Sequence, residues 1–233
     1  MRTFYFFTLL SLVIFGDAMA QSHEENTITV NEPALSSKGW QNLFDGKNID
    51  DWAFVGLGDF ALEDGMLKSR GKMGVLWYKK QKFGNCVVRA VYKVSDPQTS
   101  SAVFVLIPHP PTDVWDVVNH AHQIKILDGN DEYHRTGSVY SFSKANTGLT
   151  KPIGQWNTLD IFLKGQHITT YINGKLASDY DPSQTPPARQ ASSDPERGPR
   201  PEIGYVGIQN HNDLMAEVIG QIWFKQISVH PLP

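Results

Sequence analysis

The chain has 233 residues, a formal net charge of −3 and one cysteine. Charges of both signs are spread without long runs, which leaves no electrostatic footprint for a polyanion and excludes nucleic acid as a partner. A lone cysteine excludes an intrachain disulfide, so the fold must rest on its hydrophobic core, and roughly 200 residues can bury a sufficient one in a single domain.

At the N-terminus, Arg2, the apolar run from Phe4 to Phe15 and Ala18-Met19-Ala20 follow the order of a secretory signal: basic start, apolar core, small-x-small cleavage site. Residues 1–20 are therefore read as a signal peptide and the mature chain as exported, periplasmic or extracellular. The apolar run is too short for a membrane span, which needs roughly 20 apolar residues, and no other stretch comes close. Cys86 lies far from the cleavage point, so no lipid anchor is expected. Residues 21–38 are polar and without period, and read as a flexible leader. The domain then runs from 39 to 233. Phe60–Glu63 and Met66–Lys68 flank Asp64-Gly65, a dipeptide that tolerates the positive φ of a tight hairpin turn. Cys86, Val88, Ala90, Tyr92 and Val94 fall on one face of a strand whose other face carries Arg89 and Lys93. Leu159, Ile161 and Leu163 alternate before Gly165-Gln166; Ile168, Thr170 and Ile172 return before Asn173-Gly174. Further strands are expected at Tyr205–Gln209 and Gln221–Val229, and helical periodicity is absent. Many short strands at close spacing predict an all-β sandwich of two antiparallel sheets. Residues 181–201, rich in Pro, Ser, Arg and Asp, read as a long surface loop, either a lid at a binding face or a solvated insertion.

Several chemistries have no matching residues. There is no Gly-x-Ser-x-Gly elbow, no Gly-rich phosphate cradle and no His-Glu-x-x-His zinc helix. Cys86 alternates with apolar residues and reads as a buried structural thiol. Ordinary glycoside hydrolysis needs two carboxyl groups across the scissile bond, and no strand offers acids at even spacing on one face. The tryptophans beside turn residues would stack on sugar rings or fill the core. His120 and His122, two apart, would project to one face if a strand began that early, a spacing used by metal pairs; otherwise they are polar residues at a strand entry. A divalent cation is thus an open option, with no third ligand evident. His134 sits in the turn-like Asp131–Arg135, and His211 follows the strand in Ile208-Gln209-Asn210-His211.

The order of motifs resembles the 3-keto-disaccharide hydrolase domain family, also described as 3-keto-glucoside 1,2-lyase and 3-keto-2-hydroxy-glucal hydratase. The matching pieces include Trp40–Lys47, Phe60–Leu67, Gly74–Tyr78, Ile126-Leu127-Asp128, Thr136–Tyr140, Gly154–Asn157, Ile172-Asn173-Gly174, Gly204–His211 and Phe224–Ile227. They run in the expected order from about Gly39 to the C-terminus. The resemblance implies a concanavalin-like jelly-roll sandwich acting on a saccharide, specifically a 3-keto-glycoside. A ketone at C3 acidifies the C2 hydrogen, and the C1 substituent can leave through an enolate, so one base and one donor for the enolate oxygen suffice. Water then adds back, giving net hydrolysis.

This chain departs from the family pattern at two places: an arginine position is Leu106 and a glutamate position is Gln123. Gln cannot take up a proton at neutral pH, and losing Arg removes a bidentate donor. Either the exchanges compensate, with Lys125 as positive charge beside the ketone and His211 or His134 as base, or the domain is a carbohydrate-binding module without turnover. The expected site is His211, His134, Lys125 and Gln123 on a concave sheet face, supported by Tyr140 and Gln209, with Trp77 as a stacking platform.

Overall fold

The computed structural model describes residues 31–211 and 220–233. The proposed signal peptide and residues 21–30 of the leader lie outside the described residues. The described strands are β1 (Gln41–Phe44), β2 (Trp52–Glu63), β3 (Met66–Tyr78), β4 (Cys86–Val94), β5 (Ser101–Ile107), β6 (His122–Ile126), β7 (Asn157–Lys164), β8 (His167–Ile172), β9 (Lys175–Tyr180), β10 (Tyr205–Asn210) and β11 (Ile222–Pro231), with one helix, α1 (Val114–His120). All named strand pairs are antiparallel, in the order β6-β5-β10-β3-β11-β4-β7-β8-β9; β1 pairs with β11 and β2 with β3.

The expected hairpins form in the expected register. Asp64 and Gly65 take φ of 50° and 72°, pairing Glu63 with Met66. Asn173 and Gly174 take φ of 51° and 79°, pairing Ile172 with Lys175. Both turns need positive φ at two successive positions, which Asn, Asp and Gly accept most readily. Alternation then sorts the side chains. Val88, Ala90, Leu159, Ile161, Ile168 and Ile172 from one end of the strand order are buried in the same core as Val103, Val105, Ile124, Ile126 and Ile208 from the other end. The sheet is therefore curled into the two faces of a sandwich.

The β2–β3 hairpin joins these faces. The first part of β3 pairs with β11 through Leu67 and Lys68, and its last part with β10 through Gly74–Trp77. Between these parts the chains come too close for side chains: a Cβ on Gly74 would overlap the Gly58 carbonyl, and one on Gly58 would overlap the Lys72 carbonyl. At the opposite side of the domain, Asn31 bridges to Lys175 and the Glu32 N–H donates to the Gly174 carbonyl at 2.8 Å. The Glu32 carboxylate lies 3.3 Å from Arg89, whose Nε donates to Asp160 at 2.5 Å.

Two expectations are corrected. A helix is present: Asp113 caps it by accepting from the Asp116 N–H, and Val114, Val117 and Val118 bury its inner side. Seven residues are too few to display a helical period, and three valines resemble a strand. Consequently His120 ends the helix while His122 begins β6, and the two do not share a strand face. His122 points into the core, 1% exposed, edge-on to Phe142 and packed on Tyr180, with no hydrogen-bond partner at either ring nitrogen. Burial, with the Arg200 charge adding to it, pushes its pKa down from 6.5 to about 3. It is a neutral core ring.

Two stability measurements test this account. Gly74→Ala should lower the urea-unfolding free energy by about 2 kcal/mol or more, whereas Gly198→Ala, with open space around it, should change it by less than about 0.5 kcal/mol. For His122, the unfolded chain takes up a proton below pH 6.5 that the folded ring refuses until about pH 3, so its contribution to stability is lost as pH falls through that window. His122→Phe should flatten that acid dependence and be neutral or stabilising at pH 5, by about 1–3 kcal/mol, since it removes two orphaned polar atoms. A variant less stable than the parent at pH 5 would refute the reading.

Candidate functional site

The site grows out of strand register. Ile124 and Ile126 of β6 face the core, so Gln123 and Lys125 face the other way. Pairing aligns Lys125 with Ala102, Ala102 with Gln209 and Gln209 with Val75; one step along, Gln123 aligns with Phe104, Phe104 with Gly207 and Gly207 with Trp77. Two rows thus cross the outer face of β6, β5, β10 and β3, polar at the β6 end and apolar at the β3 end. α1 covers the apolar end: Val75, Trp77, Phe104 and Ile107 pack with Val114, Val117, Val118 and Ala121.

At the polar end the Gln123 amide donates to the Gln209 side chain at 3.1 Å. The Lys125 ammonium donates to Ser100 Oγ at 2.8 Å and lies 5.3 Å from the centre of the Tyr140 ring. Gln123, Lys125 and Gln209 are 6%, 2% and 1% exposed. Burial pushes the Lys125 pKa down from 10.5 to about 7.

Tyr140 and His134 reach this face because residues 136–140 run along the free edge of β6. Lys125 donates its N–H to the Ser138 carbonyl, Gly137 donates to the Lys125 carbonyl and Tyr140 donates to the Gln123 carbonyl. The His134 ring packs edge-on to Tyr140 with centres 4.8 Å apart. Its two nitrogens face two carboxylates, Asp131 at 2.7 Å on Nδ1 and Asp194 at 3.1 Å on Nε2. Each ring nitrogen is thus occupied by a carboxylate, and neither is open to a substrate.

Asp194 belongs to the 181–201 segment, which has no regular structure but is not loosely solvated throughout. Asp194 is 1% exposed and accepts from the Gln190 N–H at 2.7 Å. Arg197 donates to the Ser141 carbonyl and Oγ, Arg200 donates to the carbonyls of Asn119 and Ala121, and both guanidinium groups stack on Phe142. Burial of the Tyr140 hydroxyl, with Asp194 nearby, raises its pKa.

The structure therefore brings Gln123, Lys125, Gln209, Tyr140 and His134 together. His211 directly follows β10, two residues after Gln209. Trp77 is 8% exposed, edge-on to Tyr205 at 5.0 Å in the cluster beneath α1, so it cannot serve as a stacking platform. Leu106 turns away from the site. β5 has Val105 and Leu106 opposite the single residue Val206, and the φ of 60° that Leu106 adopts at this bulge sends its side chain into the main core. Ser100, Asp131 and Asp194 were not anticipated from sequence; the short Asp131-to-His134 spacing in a turn was the one available signal.

Comparisons with known proteins agree with this architecture. No curated protein matches the chain. Among solved structures, a candidate glycosyl hydrolase from Parabacteroides distasonis superposes with a TM-score of 0.65 at 25% identity, covering 83% of this chain and 99% of that one. The carbohydrate-binding module CBM66 from Bacillus subtilis superposes at 0.52 and 11% identity, covering 77% and 95%. A Bacillus subtilis protein with a galectin-like fold gives 0.52 and 12%, covering 87% and 98%. These likenesses identify the fold as a lectin-like β-sandwich. Residues 39–230 match a single family across the whole strand order, and the chain belongs to it: the 3-keto-alpha-glucoside-1,2-lyase-like domains.

Proposed function

We propose that this domain is an exported lyase that cleaves a 3-keto-glycoside. The single observation that carries the reading is the buried Lys125 amine, held beside the Gln123–Gln209 pair and Tyr140 on one sheet face with no carboxylate partner among the described residues. A family enzyme needs no acid pair, and a lysine whose pKa lies about 7 stabilises an enolate when charged and gives up its proton readily. His211 takes the C2 proton. Electrons move to the C3 oxygen, where Lys125 donates a hydrogen bond, and the two glutamines hold ring hydroxyls. The C1–O bond breaks as the enolate collapses, and the leaving oxygen picks up a proton. Water adds across C1 and C2, with hydroxide to C1 and a proton to C2. His134 acts as a positioning residue, fixing Tyr140 and tying the 181–201 segment down through Asp194. Since the three central side chains are almost fully covered, a sugar must displace their cover, and that segment is the proposed lid.

A second reading is a carbohydrate-binding module without turnover, favoured by the neutral amide pair at the family's glutamate position and by Leu106 in place of arginine. A 3-keto-glucoside carrying a chromogenic aglycone separates the two. Aglycone release that falls by at least about 100-fold in His211→Ala supports the lyase. Saturable binding of the saccharide without release leaves the module.

Lys125 offers a second measurement. Between pH 7 and 10.5 the unfolded chain holds a proton that the folded chain has released, so the buried amine makes the parent protein gain stability as pH rises. Lys125→Met should remove that gain, raise the unfolding midpoint at pH 7 and abolish turnover. A variant that loses stability at pH 7 yet keeps its rate would argue against a functional lysine.

A further inference from the structure

His109, Asp116 and His120 converge outside the site described above. Each offers one donor atom, and the three lie within 4.8 Å of one another. His120 Nδ1 is 2.8 Å from Asp116 Oδ1, and His109 Nδ1 is 3.6 Å from Asp116 Oδ2. Their rings stand 6.0 Å apart, centre to centre. We propose that these residues form a binding site for a single imidazole-preferring transition-metal ion, with Zn2+ as the type.

The donor set decides the class of ion. Two imidazoles and one carboxylate suit zinc and its neighbours, whereas calcium and magnesium take oxygen ligands almost exclusively. Three protein ligands would leave a fourth tetrahedral position for water.

The surroundings resemble a built site more than a chance meeting of surface groups. Asp116 is the fixed member, its side chain 11% exposed, and Oδ2 accepts from both the N–H and the hydroxyl of Thr112 at 3.0 and 3.3 Å. Such hydrogen bonds to a ligating carboxylate orient it toward the ion. Its place in α1 is fixed by the Asp113 cap and by the valines that seat the helix on Phe104 and Trp77. His120 lies one turn further along the same helix, so it meets Asp116 by geometry alone. His109 lies in the short link between β5 and α1, where Pro108, Pro110 and Pro111 stiffen the backbone and limit the positions its ring can take. Tetrahedral coordination at about 2.0–2.1 Å requires donor atoms roughly 3.3–3.5 Å apart. The two histidine side chains are 53% and 51% exposed, so small ring rotations can lengthen the 2.8 Å pair and draw the others together.

His120 thus finds its metal partners across the helix and the preceding loop, and not in His122, as its spacing in the sequence had suggested.

The test uses the untagged full chain, titrated with Zn2+ by calorimetry after chelator treatment, with Co2+ absorption as a second readout of coordination. One equivalent should bind, and His109→Ala or His120→Ala should each weaken binding at least tenfold and remove the Co2+ bands. His167→Ala is the control, because His167 also pairs with an exposed carboxylate, Asp179 at 2.6 Å, but belongs to no three-ligand group among the described residues. It should bind as the parent does. Because both substituted histidines are half exposed, the fold should survive, which circular dichroism verifies. The proposal is overturned if the parent binds no zinc, if His109→Ala binds as tightly as the parent, or if binding follows His167.

Discussion

The structure depends above all on the period of two along β6, β5 and β10. Ile124, Ile126, Val103 and Ile208 must enter the core, and that commitment turns Gln123, Lys125, Gln209 and Phe104 to the opposite face as one block. A slip of one residue in β6 would bury Lys125 in the sandwich and strand Ile124 and Ile126 outside it, and one in β10 would bury Gln209 in place of Ile208. The polar face is therefore as well specified as the core, because the same register fixes both.

That outer face is divided. At the β3 end it behaves as a second core, sealed by a helix only seven residues long. At the β6 end it carries groups that cost free energy to bury. A lysine with no counter-ion among the described residues is stabilised there by one serine hydroxyl and an aromatic ring, far less than water would provide. Folding alone gives no reason to keep it, since an apolar residue would pack more favourably. Sites that work are where such local conflicts with stability are expected to accumulate. His122 provides the contrast: it is also buried and polar, yet it packs against the Phe142 and Tyr180 rings with neither nitrogen hydrogen-bonded.

Much of this was legible in the residues themselves. Turn dipeptides such as Asp64-Gly65 and Asn173-Gly174 state their backbone conformation directly, and alternation in β4, β7 and β8 names its own inward face. The grouping of Gln123, Lys125 and Gln209 followed from the same period once the strands were placed. What failed depended on partners distant in sequence. Trp77 is covered by α1, and nothing adjacent to it announces a helix that starts more than thirty residues later. Leu106 leaves the expected face because of a bulge opposite Val206, which only the pairing of two strands can create. His134, expected as a candidate base, is closed off by Asp194 from the 181–201 segment. The helix itself left a trace, Asp113 with Asp116 three residues on, but three valines outweighed it.

The pairing of Asn31 and Glu32 with the Asn173–Lys175 turn has a practical side. β9 is the last strand in its row, and the far side of such a strand offers unpaired backbone groups to any neighbouring chain. The short segment ahead of the domain occupies part of that border and is anchored through Arg89 to the sheet behind it. A shortened chain begun at Gly39, where the family match starts, would leave this border uncovered, so the choice of starting residue bears on whether the purified domain stays apart from its copies.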